Sequence, residues 1–553
     1  MGVATREVPV LVAGGGPAGM SLAAELGWRG VPCLLVEERT GPVDHPRATL
    51  LGARSMEHYR RWGLAADVVA ASLPLDYPID IIFTTRLCGF EIFRFSLITM
   101  GEFMSWAPGL RERFPDAGWS PYYKTQIGQQ ALEPVIAAFA RSFDHVDVRY
   151  GWRLESFEQD GEGVRARIRD VARDRVESVR ARHLVGCEGG RSVVRQSLGI
   201  RYTGRGALRA NVSFFFRAPG FLDTHALGRG TLYWTFAPGS FGVFTAIDGR
   251  ELWNYQHYFL DPAESPDSVE PRRAIFEGMG RDFPLEILHV THWSHHQSVA
   301  ERYREGNAFL AGDSAHLFCP TGGFGMNTAI GDAVDLGWKL AAHYDGWGGS
   351  ELLESYEAER RPVAVRNTLE AAGNADRMDA LMRATTPEIE AVDGEGPRLR
   401  RELGLRLEPS RKQFSATGIH LGYRYEDSPI VVRDGTPPPK DDPQLYEPGT
   451  WPGARAPHAW LAPGVSTLDW FGRGFTLVVT GRDADAGSAF VREAERLRLP
   501  LRVVRSELPE VRALYQRSLV LVRPDGHVAW RGDARPADVR GVLDIARGAV
   551  PAD

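Results

Sequence analysis

Residues 8–19 read VPVLVAGGGPAG, an apolar run that empties into three glycines, with a fourth glycine three places on. Val8–Val12 predicts a short buried strand, and the alanine- and leucine-rich stretch after Gly19 predicts a helix. Between them, Gly14, Gly16 and Gly19 have the GxGxxG spacing of a pyrophosphate-binding turn. Gly14 permits the tight turn, Gly16 lets backbone amides approach a phosphate, and Gly19 lets the helix pack close to the strand. Gly15, Pro17 and Ala18 complete the loop, and Pro17 stands near the helix start, where its missing N–H costs nothing. A second strand, Cys33–Val36, ends at Glu37, eighteen residues after Gly19, where a carboxylate can accept from both hydroxyls of an adenosine ribose. A solvated strand-end charge is the other reading of Glu37. The combination predicts a dinucleotide site and leaves NAD and FAD undivided.

The chain around this motif has 553 residues, room for about three to five domains. Apolar residues make up 43% and charged residues 25%, the usage of a folded globular protein. A net charge of −6 offers no cationic excess for phosphate backbones, so nucleic acid is not the expected partner and a small molecule is. No apolar run reaches membrane-span length and no signal peptide is legible, so no membrane association is expected. Cys33, Cys88, Cys187 and Cys319 lack metal-ligand or CxxC spacing, which points to a reducing, cytoplasmic setting. His289, His292, His295 and His296 form neither HxH nor HExxH with an acidic third ligand, so no metal is expected.

Far downstream, Ala308–Ala311 predicts a buried strand that stops at Gly312-Asp313, and a loop then runs to Gly325. Ile330, Ala333, Val334, Gly337, Trp338, Ala341 and Ala342 keep helical spacing, placing a helix start near Met326 and Asn327 with free amides facing the loop. Residues 312–340, GDSAHLFCPTGGFGMNTAIGDAVDLGWKL, resemble the GD segment of the flavin-dependent aromatic hydroxylases, the class A monooxygenases of the p-hydroxybenzoate hydroxylase and phenol hydroxylase type. The resemblance implies that Asp313 binds the ribityl chain of FAD, that Pro320 and Gly325 border the cofactor, and that Met326 and Asn327 donate amides to the pyrimidine edge of the flavin. His45-Pro46-Arg47-Ala48 resembles the segment whose arginine approaches the FAD pyrophosphate and the nicotinamide cofactor. Gln129-Gln130-Ala131-Leu132-Glu133 resembles the helix whose first glutamine bonds FAD, which assigns that role to Gln129. The stretch from Leu184 to Arg195 resembles the DG segment that contacts both FAD and NAD(P)H, which makes Glu188 a cofactor-binding candidate, standing where the family usually has aspartate.

The fold so implied is α/β with α+β elements. A Rossmann-like FAD-binding domain takes 1–75, 121–200 and 306–400, and an interleaved β-sheet substrate domain takes 76–120 and 201–305. Thr436-Pro437-Pro438-Pro439 marks a linker over 401–440. The strand and helix order after it resembles a thioredoxin-like domain over 441–553, with a tight hairpin at Pro524-Asp525-Gly526. No cysteine follows Cys319, so redox chemistry is excluded there, leaving packing or homodimer formation. In the sheet domain Trp253, Tyr255, His257 and Phe259 alternate along one strand face, and Tyr255 and His257 are the candidates for deprotonating a substrate.

The activity implied is hydroxylation of a phenolic or hydroxylated heteroaromatic ring with NAD(P)H and O₂ through a C4a-hydroperoxyflavin. The alternatives are a Baeyer–Villiger oxygenase of a polyketide-like substrate, a flavin reductase or saturase, and a non-catalytic carrier of flavin or an aromatic metabolite.

Overall fold

The computed structural model describes residues 5–105, 113–114, 117–259, 266–481, 485 and 487–550. Parts of the expected sheet domain, 106–112, 115–116 and 260–265, lie outside the described residues. The strand Thr5–Ala13 sits mid-sheet, parallel to Arg175–Gly186 on one side and to Cys33–Glu37 on the other. Ala308–Leu310 extends this sheet beside Arg175–Gly186, and Val146–Tyr150 extends it beside Cys33–Glu37. The glycine turn and the Gly312-Asp313 turn therefore leave the same sheet edge, the carboxyl ends of parallel strands, where α/β folds bind ligands. The helices Pro17–Arg29 and Phe324–Tyr344 pack on each other over the sheet's apolar residues.

The second helix begins at Phe324, two residues before the expected start. Gly322 and Gly323 take φ of +88° and +69°, a left-handed step that glycine adopts freely and that turns the chain into the helix early. The buried stripe begins deeper in the helix, so periodicity alone placed the start late.

A second, eight-stranded sheet follows the order His316–Leu317, Glu286–Ala300, Tyr202–Arg217, Leu252–Tyr258, Gly242–Ala246, Leu232–Thr235, Ile81–Thr84, Glu91–Phe95. One face, with Val212, Phe214, Phe216, Trp253 and Tyr255, is covered by the helix Pro271–Met279 through Ala274, Ile275 and Met279. On the opposite face Trp234, Val243 and Tyr258 meet Met378, Leu381 and Met382 of the long helix Glu351–Arg383.

The stretch expected to be a linker, 401–440, is not an open tether. It carries the end of the helix Glu395–Leu407 and the helices Arg411–Phe414 and Thr417–Leu421, and Leu403, Leu407 and Phe414 are buried against the sheet. Beyond it, Phe475–Val479 pairs parallel with Leu501–Arg505 across the helix Ser488–Arg496, and antiparallel with Leu519–Val522, which pairs with Val528–Gly532. The closing helix is Val539–Ala546. Pro524-Asp525-Gly526 lies within a five-residue connection rather than a two-residue turn, closed by Arg523 N–H donating to the His527 carbonyl at 2.7 Å. The Arg523 and Asp525 side chains turn inward there and are buried. No helix among the described residues is long and apolar enough to cross a membrane.

Candidate active site

The glycine turn is built by close approach. Gly14 has φ +101°, and a Cβ there would collide with the Cys187 carbonyl of the neighbouring strand. A Cβ at Gly19 would collide with the Gly14 carbonyl. Gly16, which caps the helix that Pro17 begins, is different: a Cβ there would meet nothing within 4 Å. Its position opens onto free space in front of the helix amides, the cradle that a pyrophosphate needs.

Glu37 is 8% exposed, so it is not a solvated strand-end charge. It accepts from Gly15 N–H at 2.5 Å, Arg39 N–H at 2.9 Å and Arg39 Nε at 2.8 Å. Arg39 also donates to Glu133 at 3.1 Å, and Glu133 accepts from Val43 N–H at 2.8 Å and Gln129 Nε2 at 2.7 Å. Gln129 and Glu37 thus belong to one polar cluster beside the glycine turn, joined by two residues the sequence reading left out. The i, i+4 spacing of Gln129 and Glu133 on one helix face is the signal that was available.

Asp313 lies in the turn Gly312–Ser314, and its carboxylate, open to the cleft, bonds no described residue. Burial pushes its pKa up, against the positive influence of His316, Arg47 and His296. Asp332 braces this turn from below, accepting from Gly312 N–H at 3.1 Å, His316 Nε2 at 2.7 Å and Arg360 Nε at 2.8 Å. Burial would raise the Asp332 pKa, but His316 and Arg360 outweigh it and hold the carboxyl below its ordinary value.

Across from Asp313 the first turn of Phe324–Tyr344 leaves the N–H groups of Phe324, Gly325 and Met326 without partners inside the helix. The Asn327 carboxamide is a structural tie. Its Oδ1 accepts from Gly52 N–H and Ser55 Oγ at 2.7 Å each, and its Nδ2 donates to the Leu50 and Gly323 carbonyls at 3.0 and 2.8 Å. Pro320 accepts from Gly323 N–H at 3.0 Å, and a Cβ at Gly325 would touch the Phe318 ring, so the loop is folded tightly onto the helix start. Glu188 turns back on its own chain: it accepts from Ser192 Oγ at 2.6 Å and Val194 N–H at 3.2 Å, at the start of the helix Val193–Ser197.

Arg47 is exposed, lies close enough to Asp313 to act on its charge, and donates from Nε to His45 Nε2 at 3.3 Å. His45 Nδ1 is paired with Asp44 Oδ1 at 2.9 Å, and its ring stacks on His289 with centroids 3.9 Å apart. Asp44, His45 and His289 lie within reach of one another as metal ligands. The face-to-face stack, however, keeps the in-plane lone pairs of the two rings from converging on a single ion.

His289 shares its sheet face with Phe215, its cross-strand partner, and with Asn254, which pairs with Phe215 from the other side. Asn254 is 4% exposed. Ser213 on the same face accepts from Trp293 Nε1 at 2.8 Å.

Tyr255 and His257 do share a strand face, as the alternation predicted, but it is the opposite one. A Cβ on Gly278 of the covering helix would touch the Tyr255 hydroxyl, and Glu277 of that helix is the charged neighbour of His257. Tyr255 Oη donates to the Ser240 carbonyl at 3.3 Å, and its ring packs on Phe244. Both residues belong to the core between sheet and helix, away from the cleft of Asp313 and Arg47. Period-two patterning groups side chains by face; it carries no information about which layer covers that face.

Residues 7–371 match the family model of the FAD binding domain, and residues 449–549 match that of the aromatic-ring hydroxylase C-terminal region. A putative polyketide hydroxylase of Streptomyces halstedii is 35% identical, over 96% of this chain and 94% of the relative. A structure of RebC soaked with chromopyrrolic acid and holding 7-carboxy-K252c superposes with a TM-score of 0.89 at 38% identity, covering 99% of this chain and 100% of that one. An aklavinone-11 hydroxylase in ternary complex with FAD and aklavinone superposes with a TM-score of 0.83 at 31% identity, again covering 99% and 100%.

Proposed function

The chain belongs to the FAD-dependent aromatic-ring hydroxylases, and we propose that it hydroxylates an extended, planar, oxygen-bearing aromatic of polyketide type with NAD(P)H and O₂. One observation carries the reading: Asp313, Arg47, His45 and His289 form a continuous line from the Rossmann-like sheet edge to the Phe215–Asn254 face of the second sheet. A cofactor at one end and a flat ring at the other would meet along that line. The similarity to proteins named for chromopyrrolic acid and aklavinone supports a multi-ring substrate over a single phenol.

The residues present fit FAD. The open space at Gly16 suits the pyrophosphate, the Glu37 cluster with Gln129 suits the adenosine side, and the unpartnered Asp313 carboxylate suits ribityl hydroxyls. Bound FAD supplies the chemistry that no side chain here has, accepting hydride from NAD(P)H and activating O₂. The chain supplies the rest. The amides of Phe324, Gly325 and Met326 offer partial positive charge where negative charge develops on the reduced ring. Arg47 offers a guanidinium to phosphate. Phe215 keeps water from the ring, Asn254 orients a ring oxygen, and His289 takes the ring-hydroxyl proton. Four thiols that form no disulfide, three of them buried, support a cytoplasmic setting.

The test is turnover of hydroxylated polycyclic aromatics under ¹⁸O₂ with NADH or NADPH. One ¹⁸O atom in a ring hydroxyl of the product is the expected result. A lactone product would mean ring expansion, and NAD(P)H consumption without labelled product would mean a reductase or carrier.

A further inference from the structure

The C-terminal unit, which we read as residues 441–553, contains no cysteine and meets the rest of the chain through an apolar cluster, where Trp338, Trp347 and Leu352 pack with Phe475 and Leu477, and through buried charge. Arg455, 1% exposed by side chain, forks onto Glu57, with Nε donating to Oε2 at 2.9 Å and Nη2 to Oε1. Glu57 also accepts from Arg54 Nη1 at 2.9 Å, and Arg54 Nη2 reaches the Asp525 carbonyl at 2.6 Å. Both Arg54 and Glu57 lie on the helix Ala53–Trp62. The entry to that same helix, Gly52 and Ser55, holds the Asn327 carboxamide at the start of Phe324–Tyr344. Arg523 makes a second grip: it donates to Glu359 and to Asp335 at 3.2 Å, and Asp335 belongs to Phe324–Tyr344.

That apolar cluster already holds the two units together, and burying charges costs about what their attraction returns, so the ion pairs are not needed for adhesion. A guanidinium fork on a carboxylate adds geometry, since it satisfies its bonds in one planar alignment. We propose that Arg455 and Glu57 are positioning residues for the flavin. They fix the helix Ala53–Trp62, which through Gly52, Ser55 and Asn327 sets where the Phe324–Met326 amides stand. The C-terminal unit is then a brace that tunes the cofactor's redox balance from a distance. This rests on the reading that those amides face the flavin, and the test separates the two.

The experiment uses the full-length holoenzyme and measures the two-electron midpoint potential of bound FAD, the dissociation constants of oxidised and reduced FAD, and the melting temperature. Glu57→Gln keeps shape and removes charge; Arg455→Lys keeps charge and removes the fork, and carries the test if the first variant does not accumulate. Each is expected to weaken binding of reduced relative to oxidised FAD about tenfold, which lowers the potential by about 30 mV for a two-electron couple. Met326→Pro deletes one of the amides in a first helical turn, where proline is tolerated, and should lower the potential in the same direction. Val520→Ala, in the C-terminal core away from the seam, should lower the melting temperature and leave the potential at the wild-type value. A wild-type potential in both relay variants, with a lowered one in Met326→Pro, overturns the positioning role. A wild-type potential in Met326→Pro overturns the placement of the amides, and the positioning role falls with it.

Discussion

The imidazoles of His45 and His289 lie 3.9 Å apart and 11° from parallel, one carried by the cofactor-side loop and the other by the second sheet. Burial is the main cause that holds the His45 pKa below its ordinary value; Asp44 opposes it, while His289 and Arg47 add to it. His45 is therefore neutral at pH 7, where it stacks on His289. Protonating His45 in acid places a cation against the face of the His289 ring. Affinity for the aromatic substrate, read from perturbation of the flavin spectrum, should therefore hold down to about pH 6.5 and fall only in more acid solution. His289→Phe should keep the ring stack and substrate binding and lose turnover.

Gly14 and Gly16 separate folding from phosphate binding. Gly14→Ala places a methyl against the Cys187 carbonyl at a positive φ and should yield apoprotein that fails to accumulate or retains no yellow colour. Gly16→Ala meets no protein atom, so apoprotein melting should stay within about 1 °C, while FAD affinity falls by roughly tenfold or more because a phosphate must now clear the methyl. Melting curves and FAD titration check both.

Tyr255→Phe and His257→Gln lie behind the sheet and should retain substrate-stimulated oxygen uptake to within about threefold, since neither reaches the cleft. Asn254→Leu conserves volume and removes the hydrogen-bonding amide. It should raise KM for the oxygenated substrate by about 5- to 150-fold, the cost of about one to three kcal/mol for an unpaired polar group.

His420 is buried against Gly52, with its ring 5.7 Å from Phe324. Burial, aided by Lys124 and Arg366, pushes its pKa down to about 3. The unfolded chain therefore binds a proton that the folded chain does not, and stability falls as pH drops from about 6.5 toward 3, by about 1.4 kcal/mol per unit once well below 6.5. His420→Phe should reduce the slope of unfolding free energy against pH by one proton's worth between pH 4 and 6, measured by urea unfolding.

The glycine turn, the strand ending at Glu37 and the Gly312-Asp313 turn were legible because each is local: a few residues fix the backbone, and the backbone makes the site. The tether expected over 401–440 failed because proline content reports local stiffness, whereas Leu403, Leu407 and Phe414 are held by a sheet built from residues far earlier in the chain. Arg39, Glu133 and Asp332 went unread for a related reason, since their value lies in partners up to 94 residues away. Asn254 was hidden by the pattern that promoted Tyr255 and His257, being the residue between positions that looked periodic.

Cutting the chain at residue 440 would take away Arg455, Arg523 and Asp525, leaving Glu57, Asp335 and Glu359 with Arg54 and Lys339 as their cationic partners among the described residues. The tail is accordingly not a cassette to be swapped between relatives. A chimera would need both halves of each ionic contact from one parent, and grafts that respect this pairing should express where mismatched ones do not.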